Sequence, residues 1–250
     1  MSCAAPIAIV SALAEEQAGL LECMSHVQCV DHAGRAFWLG RLRGVPVILA
    51  LSRIGKVAAA TTATALLTRF GAQQVLFTGV AGGVGPDVHV GDVVVGSHYL
   101  QHDMDASPLF PRYEVPLSGR SRYEADAALL ALACKSVTRM QPVLRTEHFA
   151  AKMHRGLIVS GDRFVSSAME VSALRQSLAA AGHLPLAVEM EGAAVAQVCS
   201  DYRVPFVAIR TISDRADDTA HVDFPKFVRE TASVYARLVV LDMLEALSKG

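Results

Sequence analysis

Short apolar runs alternate with longer segments of helical periodicity along most of the chain. The first run, PIAIV at residues 6–10, is rich in β-branched residues and predicts a strand. Residues 12–24 follow it with leucines and a methionine at near-helical spacing, which predicts a helix. The same alternation predicts further strands at 75–78, 155–161, 184–188 and 205–212, and helices at 55–70, 123–138, 168–181, 190–201 and 224–248.

The order of these elements indicates the fold class. Strands that alternate with helices, several of them continuous apolar runs, predict an α/β sheet covered by helices on both faces. Residues 36–52 add a hairpin that turns at Gly44-Val45-Pro46, so the central sheet should be mixed. We therefore expect a three-layer αβα architecture formed by residues 1–250 as one domain, with a surface loop or lid at 106–122 and an irregular excursion at 138–154.

The composition limits the kind of partner. The chain is 52% hydrophobic and 19% charged, which is typical of a globular protein with many buried strands. Its formal net charge of −1 provides no general field that would attract nucleic acid or an anionic membrane surface. We expect a small-molecule partner.

The cysteines and the N-terminal segment bear on location. The five cysteines lack C-x-x-C spacing and zinc-like pairing with histidines, so they resemble reduced thiols. The first 24 residues lack a basic head, and Glu15 and Glu16 interrupt their apolar run. We expect no export signal, no membrane span and a cytoplasmic protein.

Polar residues follow the predicted strands at the places where α/β sheets bind ligands. Ligands in such sheets lie beyond the carboxyl ends of the strands. Here those ends are followed by Glu15 and Glu16, by GVAGGVG at 79–85, by SGDRF at 160–164, by EMEG at 189–192 and by SDRAD at 213–217. The sequence predicts one site bordered by carboxylates, a glycine-rich loop and an aromatic side chain.

Each of these features also has a structural explanation by itself. GVAGGVG lacks the lysine and serine of a P-loop and the spacing of a dinucleotide fingerprint, so a tight turn is equally consistent with it. Glu16 is also consistent with a helix cap, and Asp214 with a turn or cap. HDMD at 102–105 has no second ligand group nearby and is typical of a loop rather than a metal site.

Seven motifs, taken together, resemble a known family. They are IAIVSALAEEQ, SRIGKVAAA, FTGVAGGV, VHVGDVVV, GLIVSGDRFV, VEMEGAAVAQVC and VAIRTISDRADD. Their order and spacing match the purine nucleoside phosphorylase and uridine phosphorylase superfamily, from about residue 7 to the C-terminal helix. Within that superfamily the chain is most similar to the 5′-methylthioadenosine/S-adenosylhomocysteine nucleosidases.

The resemblance implies hydrolysis of the N-glycosidic bond of an adenine thionucleoside, without a cofactor or metal. Asp214 matches the acid that protonates adenine N7, and Glu16 matches the base that deprotonates the attacking water. Glu191 matches the ligand of the ribose hydroxyls. Because Glu189 lies only two residues before it, we expect just one of the two to face the site and Glu189 to pair with Arg210 on the neighbouring strand.

The resemblance also implies the surroundings of the substrate. Phe164 is expected to stack on adenine, the Val165 backbone to read its edge, Met190 to pack under the ribose and Ser213 to orient Asp214. The remaining substrate-binding candidates are Glu189, Ala81, Gly82, Leu13, Ile54 and Ala216, with Leu13 and Ile54 lining the pocket of the 5′ substituent. The loop at 106–117 matches the segment with which a neighbouring subunit closes that pocket, which implies a homodimer.

Water is the expected nucleophile. Phosphorylases of the superfamily bind phosphate through an arginine and a serine at positions that are Phe77 and Val80 here. An uncompensated phosphate dianion is costly to bury, so hydrolysis is favoured over phosphorolysis. Val80 and Arg53 nevertheless depart from the nucleosidase pattern, which has serine and a small residue there, and Arg53 would restore some affinity for an anion.

Three alternatives remain open from the sequence. Two are enzymes, a phosphate-dependent purine nucleoside phosphorylase and a nucleosidase for another purine nucleoside. The third is a nucleoside-binding protein that has lost catalysis. The joint presence of Glu16, Glu191 and Asp214 favours an enzyme, since a binding protein needs neither a base nor an acid.

Overall fold

A computed structural model describes residues 5–17, 19–144, 151–215 and 227–249. The candidate Ala216, part of the 138–154 excursion and the start of the helix predicted at 224–248 lie outside the described residues. The strands are β1 (Ile7–Ser11), β2 (Ser25–His32), β3 (Arg35–Leu42), β4 (Val45–Leu51), β5 (Gln74–Gly83), β6 (Val93–Gln101), β7 (Tyr123–Glu124), β8 (Met153–Ser160), β9 (Pro185–Glu189) and β10 (Phe206–Asp214). The helices are α1 (Lys56–Thr68), α2 (Ala127–Met140), α3 (Ala168–Ala180), α4 (Gly192–Asp201) and α5 (Ser233–Leu247), with a π-helical turn before α5 at Val228–Ala232.

The predicted mixed sheet is confirmed. β1 runs parallel to β4 and β5, and β5 runs parallel to β10. β2, β3 and β4 are antiparallel neighbours, as the hairpin predicted for residues 36–52 required. The sheet therefore combines parallel pairing around β1 and β5 with an antiparallel edge at β2 and β3, and it is also antiparallel where β5 meets β9 and where β6 meets β10.

β5 pairs with three strands because it continues beyond the end of β1. Its first half lies between β1 and β10, and its end, at Gly82 and Gly83, pairs with Val188 and Ala187 of β9. β9 pairs with β8, β8 with β6, and β6 with β10. Five strands thus close into a ring, a closure that the linear pattern of apolar runs did not predict.

The alternation of side chains on β1 divides the core between two helical layers. Ala8 and Val10 belong to a buried cluster that includes residues of α1 and α4. Ile7 and Ile9 point to the opposite face and belong to a cluster that includes residues of α2 and α5. A strand covered on both faces has to be apolar at every position, which explains the continuous run in PIAIV.

The helix predicted at 12–24 is wrong. The described part of this segment contains two short 3₁₀ turns, Glu15–Gln17 and Leu21–Cys23. The Glu16 side chain accepts hydrogen bonds from the backbone N–H groups of Ala12 and Leu13, and Gly19 takes a φ of +79°, which an α-helix excludes. The spacing of the leucines does not reveal that hydrogen bonds from the backbone to the Glu16 side chain compete with a helix here.

Two further differences concern strands. The glycines after residue 78 continue β5 to Gly83 instead of forming a tight turn. β2 was not predicted, because it forms the outer edge of the sheet and almost all of its side chains are exposed. Among the described residues no helix combines the length and apolar character needed to cross a bilayer.

Candidate active site

One cavity opens at the carboxyl ends of β1, β5, β9 and β10. Each candidate site residue within the described part of the chain borders it: Leu13, Glu16, Ile54, Ala81, Gly82, Phe164, Val165, Glu189, Met190, Glu191, Ser213 and Asp214. Ala12, Val80, Arg163 and Val188 complete its wall. Strand ends that are far apart in sequence thus bring an aromatic ring, a glycine-rich backbone and four carboxylates together.

Glu16 is the most enclosed of these carboxylates. One carboxylate oxygen accepts from the N–H groups of Ala12 and Leu13 at 2.8 and 2.9 Å, and the other from the Val80 N–H at 3.0 Å. Burial raises its pKa above the ordinary 4.5, although these hydrogen bonds and the charge of Arg210 oppose the shift. Glu16 is therefore a fixed carboxylate with an increased affinity for a proton.

Gly79 allows β5 to approach this carboxylate. A Cβ atom at residue 79 would lie 2.7 Å from the Glu16 carboxylate and 3.2 Å from Nη1 of Arg210. The first of these distances is shorter than any ordinary contact. Only glycine lets the strand backbone pass directly beneath the two charged groups.

Asp214 enters the cavity beside Ser213 because β10 bulges there. Ile212 pairs with Ala81 and Asp214 pairs with Gly82, so Ser213 is an extra residue between them. In a regular strand consecutive side chains point to opposite faces, whereas a bulge allows both to border one cavity. The Ser213 hydroxyl donates to Asp214 Oδ2 at 2.7 Å, which restricts the orientation of the carboxyl group.

Glu191 lies immediately before α4 and contacts the loop after β4. Its Oε1 accepts from the Gly55 N–H at 2.9 Å, and Gly55 takes a φ of +95° that favours glycine. Burial and the neighbouring Glu189 raise the pKa of Glu191 to about 8. The raised pKa favours the protonated form of Glu191 near neutral pH.

Glu189 also borders the cavity, but its carboxylate is paired with Arg210, which fits the expectation of a supporting residue behind Glu191. Its backbone ends β9, whereas Glu191 sits beyond the strand with a different backbone conformation. The Glu189 carboxylate accepts from the Gly192 N–H and the Ser160 hydroxyl as well as from Nη2 of Arg210 at 2.7 Å. All its hydrogen bonds in the described structure hold the protein framework together.

Arg210 pairs with Glu189 as expected, but not from a neighbouring strand. β10 is separated from β9 by β5, and the long side chain reaches across the ring. The guanidinium is 2% exposed, lies 4.1 Å from the centre of the Phe77 ring, and has no hydrogen-bond partner for Nε or Nη1 among the described residues. Arg210 was missed as a site residue, although a lone charge within the apolar run VAIRTI was a signal for it.

We expect Arg210→Met to lower the free energy of unfolding by about 3 kcal/mol, because it leaves the buried Glu189 without its cation. Arg139→Met is the matched control, since Arg139 pairs with Asp242 at 2.8 Å with its own side chain about half exposed. That control should cost less than about 1 kcal/mol. Urea denaturation measures both, and equal losses would contradict a structural role for the buried pair.

The carboxylates around Arg210 predict a dependence of stability on pH. A glutamate whose pKa is higher in the folded state stabilises the fold below its unfolded pKa, and that contribution is lost as the pH rises towards the folded value. For Glu191 the window runs from about 4.5 to about 8. Relative to Glu191→Gln, the wild type should lose more than about 1 kcal/mol of unfolding free energy across it. Denaturation curves at several pH values test this, and a constant difference between the two proteins would contradict it.

The rim of the cavity is apolar and open. Phe164 is 48% exposed and Ile54 is 58% exposed, and Leu13 and Met190 line the wall between them. These side chains offer a stacking face and an aliphatic surface to a ligand with flat and apolar parts. A further surface placed over the ligand would bury these exposed side chains.

HDMD lies just outside the cavity and is used by the framework. Asp103 accepts from Lys56 Nζ at 2.5 Å and from the Asp162 N–H at 2.9 Å. Asp162 in turn accepts from the Lys56 N–H at 2.7 Å. These contacts join the loops that carry Gly55 and Phe164.

The chain is similar to known proteins over nearly its whole length. The model of a family described as the phosphorylase superfamily matches residues 6–245. The 5′-methylthioadenosine/S-adenosylhomocysteine nucleosidase of Anoxybacillus flavithermus is 36% identical over 243 residues, which are 97% of this chain and 99% of that protein.

Solved structures are similar over the same length. The nucleosidase of that name from Neisseria meningitidis, in complex with methylthio-immucillin-A, is 35% identical with a TM-score of 0.87, over 96% of this chain and 99% of that one. The futalosine hydrolase of Helicobacter pylori is 33% identical with a TM-score of 0.84, over 97% of this chain and 98% of that one.

Proposed function

The chain belongs to the phosphorylase superfamily, and from that membership we propose that it hydrolyses the N-glycosidic bond of 5′-methylthioadenosine, S-adenosylhomocysteine or a related 5′-substituted adenine nucleoside. The products are adenine and the substituted ribose. The observation that carries the proposal is the convergence of Glu16, Glu191 and Asp214 on one cavity with an aromatic rim. A base, an acid and a ribose ligand are the groups that this reaction requires.

The acid step is assigned to Asp214. Adenine is a poor leaving group as an anion, so Asp214 donates its proton to N7 while the C1′–N9 bond breaks and its electron pair moves to the base. The hydrogen bond from Ser213 supports this role, because it holds the carboxyl group of Asp214 in one orientation at the edge of the cavity. Phe164 stacks on adenine during the transfer, and the Val165 backbone reads the edge of the base beside Ala81 and Gly82.

The base step is assigned to Glu16. Its carboxylate takes a proton from water as the water oxygen forms a bond to C1′. The raised pKa of this buried group supports the role, because a stronger base accepts the proton more readily. Glu191 accepts hydrogen bonds from the ribose hydroxyls. Positive charge that develops on the sugar favours the ionised form of Glu191, which stabilises an oxocarbenium-like transition state.

The residues expected beneath the ribose favour water over phosphate as the nucleophile. Phe77 is fully buried and packs against the Arg210 guanidinium, while the Val80 N–H is already bonded to Glu16. Arg210 itself is engaged by Glu189. A phosphate dianion at this position would meet the Glu16 carboxylate with little compensating charge.

We further propose that two copies of the chain form the complete site. The loop at 106–117 exposes Leu109 and Leu117 at 84% and 91%, and apolar side chains of that size on a loop are suited to contact a second copy. Contact with the second copy would also reduce the solvent exposure of Ile54 and Phe164. A monomeric mass in light scattering would overturn this assembly.

We place the protein in the cytoplasm. The described cysteines, Cys23, Cys29, Cys134 and Cys199, are free thiols, which suits a reducing compartment. A nucleoside substrate is also a small molecule of the cell interior. Fractionation of cells that express the protein would test this location.

A single assay separates the enzyme alternatives. The protein is incubated with methylthioadenosine, adenosylhomocysteine, 5′-deoxyadenosine, adenosine, inosine and futalosine, with and without phosphate, and free base is measured. Adenine release from the first two without phosphate is the expected result. Strict dependence on phosphate would assign a phosphorylase, and release from inosine or futalosine alone would assign another nucleosidase. Binding without release from any nucleoside would leave only a binding protein.

A further inference from the structure

A second cavity adjoins the active site and contains two arginines. Ala12, in the loop after β1, borders both cavities, and Arg35 and Arg53 line the second one. Arg53 directly precedes Ile54 in the sequence, and Ile54 borders the active-site cavity. The wall that holds the 5′ end of a nucleoside is therefore continuous with a positively charged surface.

The backbone of Arg53 adopts a conformation that arginine rarely takes. Its φ is +63°, in the left-handed region, where a residue with a Cβ atom costs about 1 kcal/mol relative to its preferred conformations. Glycine would take this position without that cost. A strained residue at a binding site is an observation from which a functional hypothesis can be drawn.

The two guanidinium groups have no carboxylate partner among the described residues. Arg35 donates to the carbonyl oxygens of Ala33 and Ala58, and Arg53 donates to that of Gly34. Nε of Arg35 is buried without any hydrogen-bond partner in the described structure. Burial and the nearby charge of Arg53 lower the pKa of Arg35, which indicates that the two cations repel each other.

An anion between these arginines would remove that repulsion and use the remaining N–H donors. Guanidinium groups bind carboxylates through paired, charge-assisted hydrogen bonds. Glu22 is the one acidic side chain on this cavity wall in the described structure, and it is exposed to solvent. The cavity therefore has a net positive charge beside an active site whose own carboxylates exclude anions.

We propose that Arg53, supported by Arg35, binds a carboxylate at the far end of the 5′ substituent. This inference rests on the proposed nucleosidase function and adds to it a residue that selects, among 5′-substituted adenine nucleosides, those whose 5′ chain passes Leu13 and Ile54 and ends in an acid. A short apolar substituent such as methylthio stops before the arginines. Arg53 is then a specificity-determining residue.

The test compares two isosteric ligands, 5′-(3-carboxypropylthio)-5′-deoxyadenosine and its neutral carboxamide. For the wild type, kcat/KM should be about tenfold higher for the acid, as expected for hydrogen bonds to a charged group. Arg53→Met should bring that ratio close to one. The preference of the wild type should also shrink as salt is added, because exposed charges are screened. Adenosylhomocysteine, which carries an ammonium group beside its carboxylate, serves as a third ligand and shows whether the amine is tolerated.

Arg41→Met is the matched control. Arg41 is another exposed arginine that donates to a glycine carbonyl in a hairpin, that of Gly44 at 2.6 Å, and it does not border either cavity. This variant should keep the tenfold ratio of the wild type. If Arg53 only fastens the Gly34 turn, Arg53→Met will lower the melting temperature and leave the ratio unchanged, which overturns the proposal.

Binding separates this proposal from the proposed function. Calorimetric titration of the acid and the amide into an Asp214→Asn background needs no turnover. A preference for the acid that disappears with Arg53→Met supports the subsite even if no nucleoside is hydrolysed. Equal affinities of the two ligands would overturn the subsite, including the case in which methylthioadenosine is hydrolysed as proposed.

Discussion

Asp214→Asn should lower kcat for methylthioadenosine by about 10³-fold, which is the scale of general acid catalysis. Asparagine has nearly the same shape and can keep the hydrogen bond from Ser213, which now spans 2.7 Å. It has no acidic proton to give to N7, so adenine has to leave as an anion. Release of adenine in single-turnover and steady-state assays measures the loss.

Two controls accompany this variant. Ser213→Ala removes the hydroxyl that orients the carboxyl group and should cost only about tenfold, since the acid itself remains. An unchanged melting temperature and near-ultraviolet circular dichroism spectrum would show that Asp214→Asn leaves the fold intact. If this variant keeps more than a tenth of the wild-type kcat, Asp214 is not the acid.

Glu16→Gln should lower kcat/KM by about 10³-fold, because an amide cannot take a proton from water. Its NH₂ group would also face a backbone N–H, since both oxygens of Glu16 accept backbone hydrogen bonds. Glu15→Gln is the matched control, because Glu15 is the adjacent glutamate in the same turn but is exposed. That control should change kcat/KM by less than about twofold.

A pH profile of activity tests whether Glu16 is a base rather than a framework residue. Its buried carboxylate has a raised pKa, and the base has to be ionised in the free enzyme. We therefore expect kcat/KM of the wild type to fall with decreasing pH from a point above the ordinary range of a glutamate. The residual activity of Glu16→Gln should lack this acidic limb, whereas a purely structural loss would lower the whole profile without changing its shape.

The candidate site could be predicted because chain geometry reduces it to a simple pattern. Polar residues that follow apolar strands meet at one edge of an α/β sheet, which is how Glu16, Glu191 and Asp214 were found. Arg210 was overlooked as a site residue because it lies inside a strand. Its side chain crosses the ring of strands to pair with Glu189, and the two residues come close together only when the sheet closes.

Local chemistry overrode the apolar pattern in other places. Leucine spacing at 12–24 predicted a helix, but Glu16 and Gln17 use their side chains to bond backbone groups of the surrounding strands and loop. The glycines after residue 78 were equally consistent with a turn, whereas Gly79 leaves room beside β5 for the side chains of Glu16 and Arg210. In both places, contacts with the Glu16 carboxylate shape the backbone, and the spacing of apolar residues carries no information about them.

The positions of the β5 partners along the chain also affect how the protein folds while it is being synthesised. β5 pairs with β1 on one side and with β10 on the other, so one neighbour leaves the ribosome long before it and the other long after. Until Phe206–Asp214 has been translated, the Gln74–Gly83 strand keeps an unpaired edge, which is prone to join the wrong strand. Asp214 is the last residue of β10, so the strand that completes the ring and the carboxyl group of Asp214 leave the ribosome together.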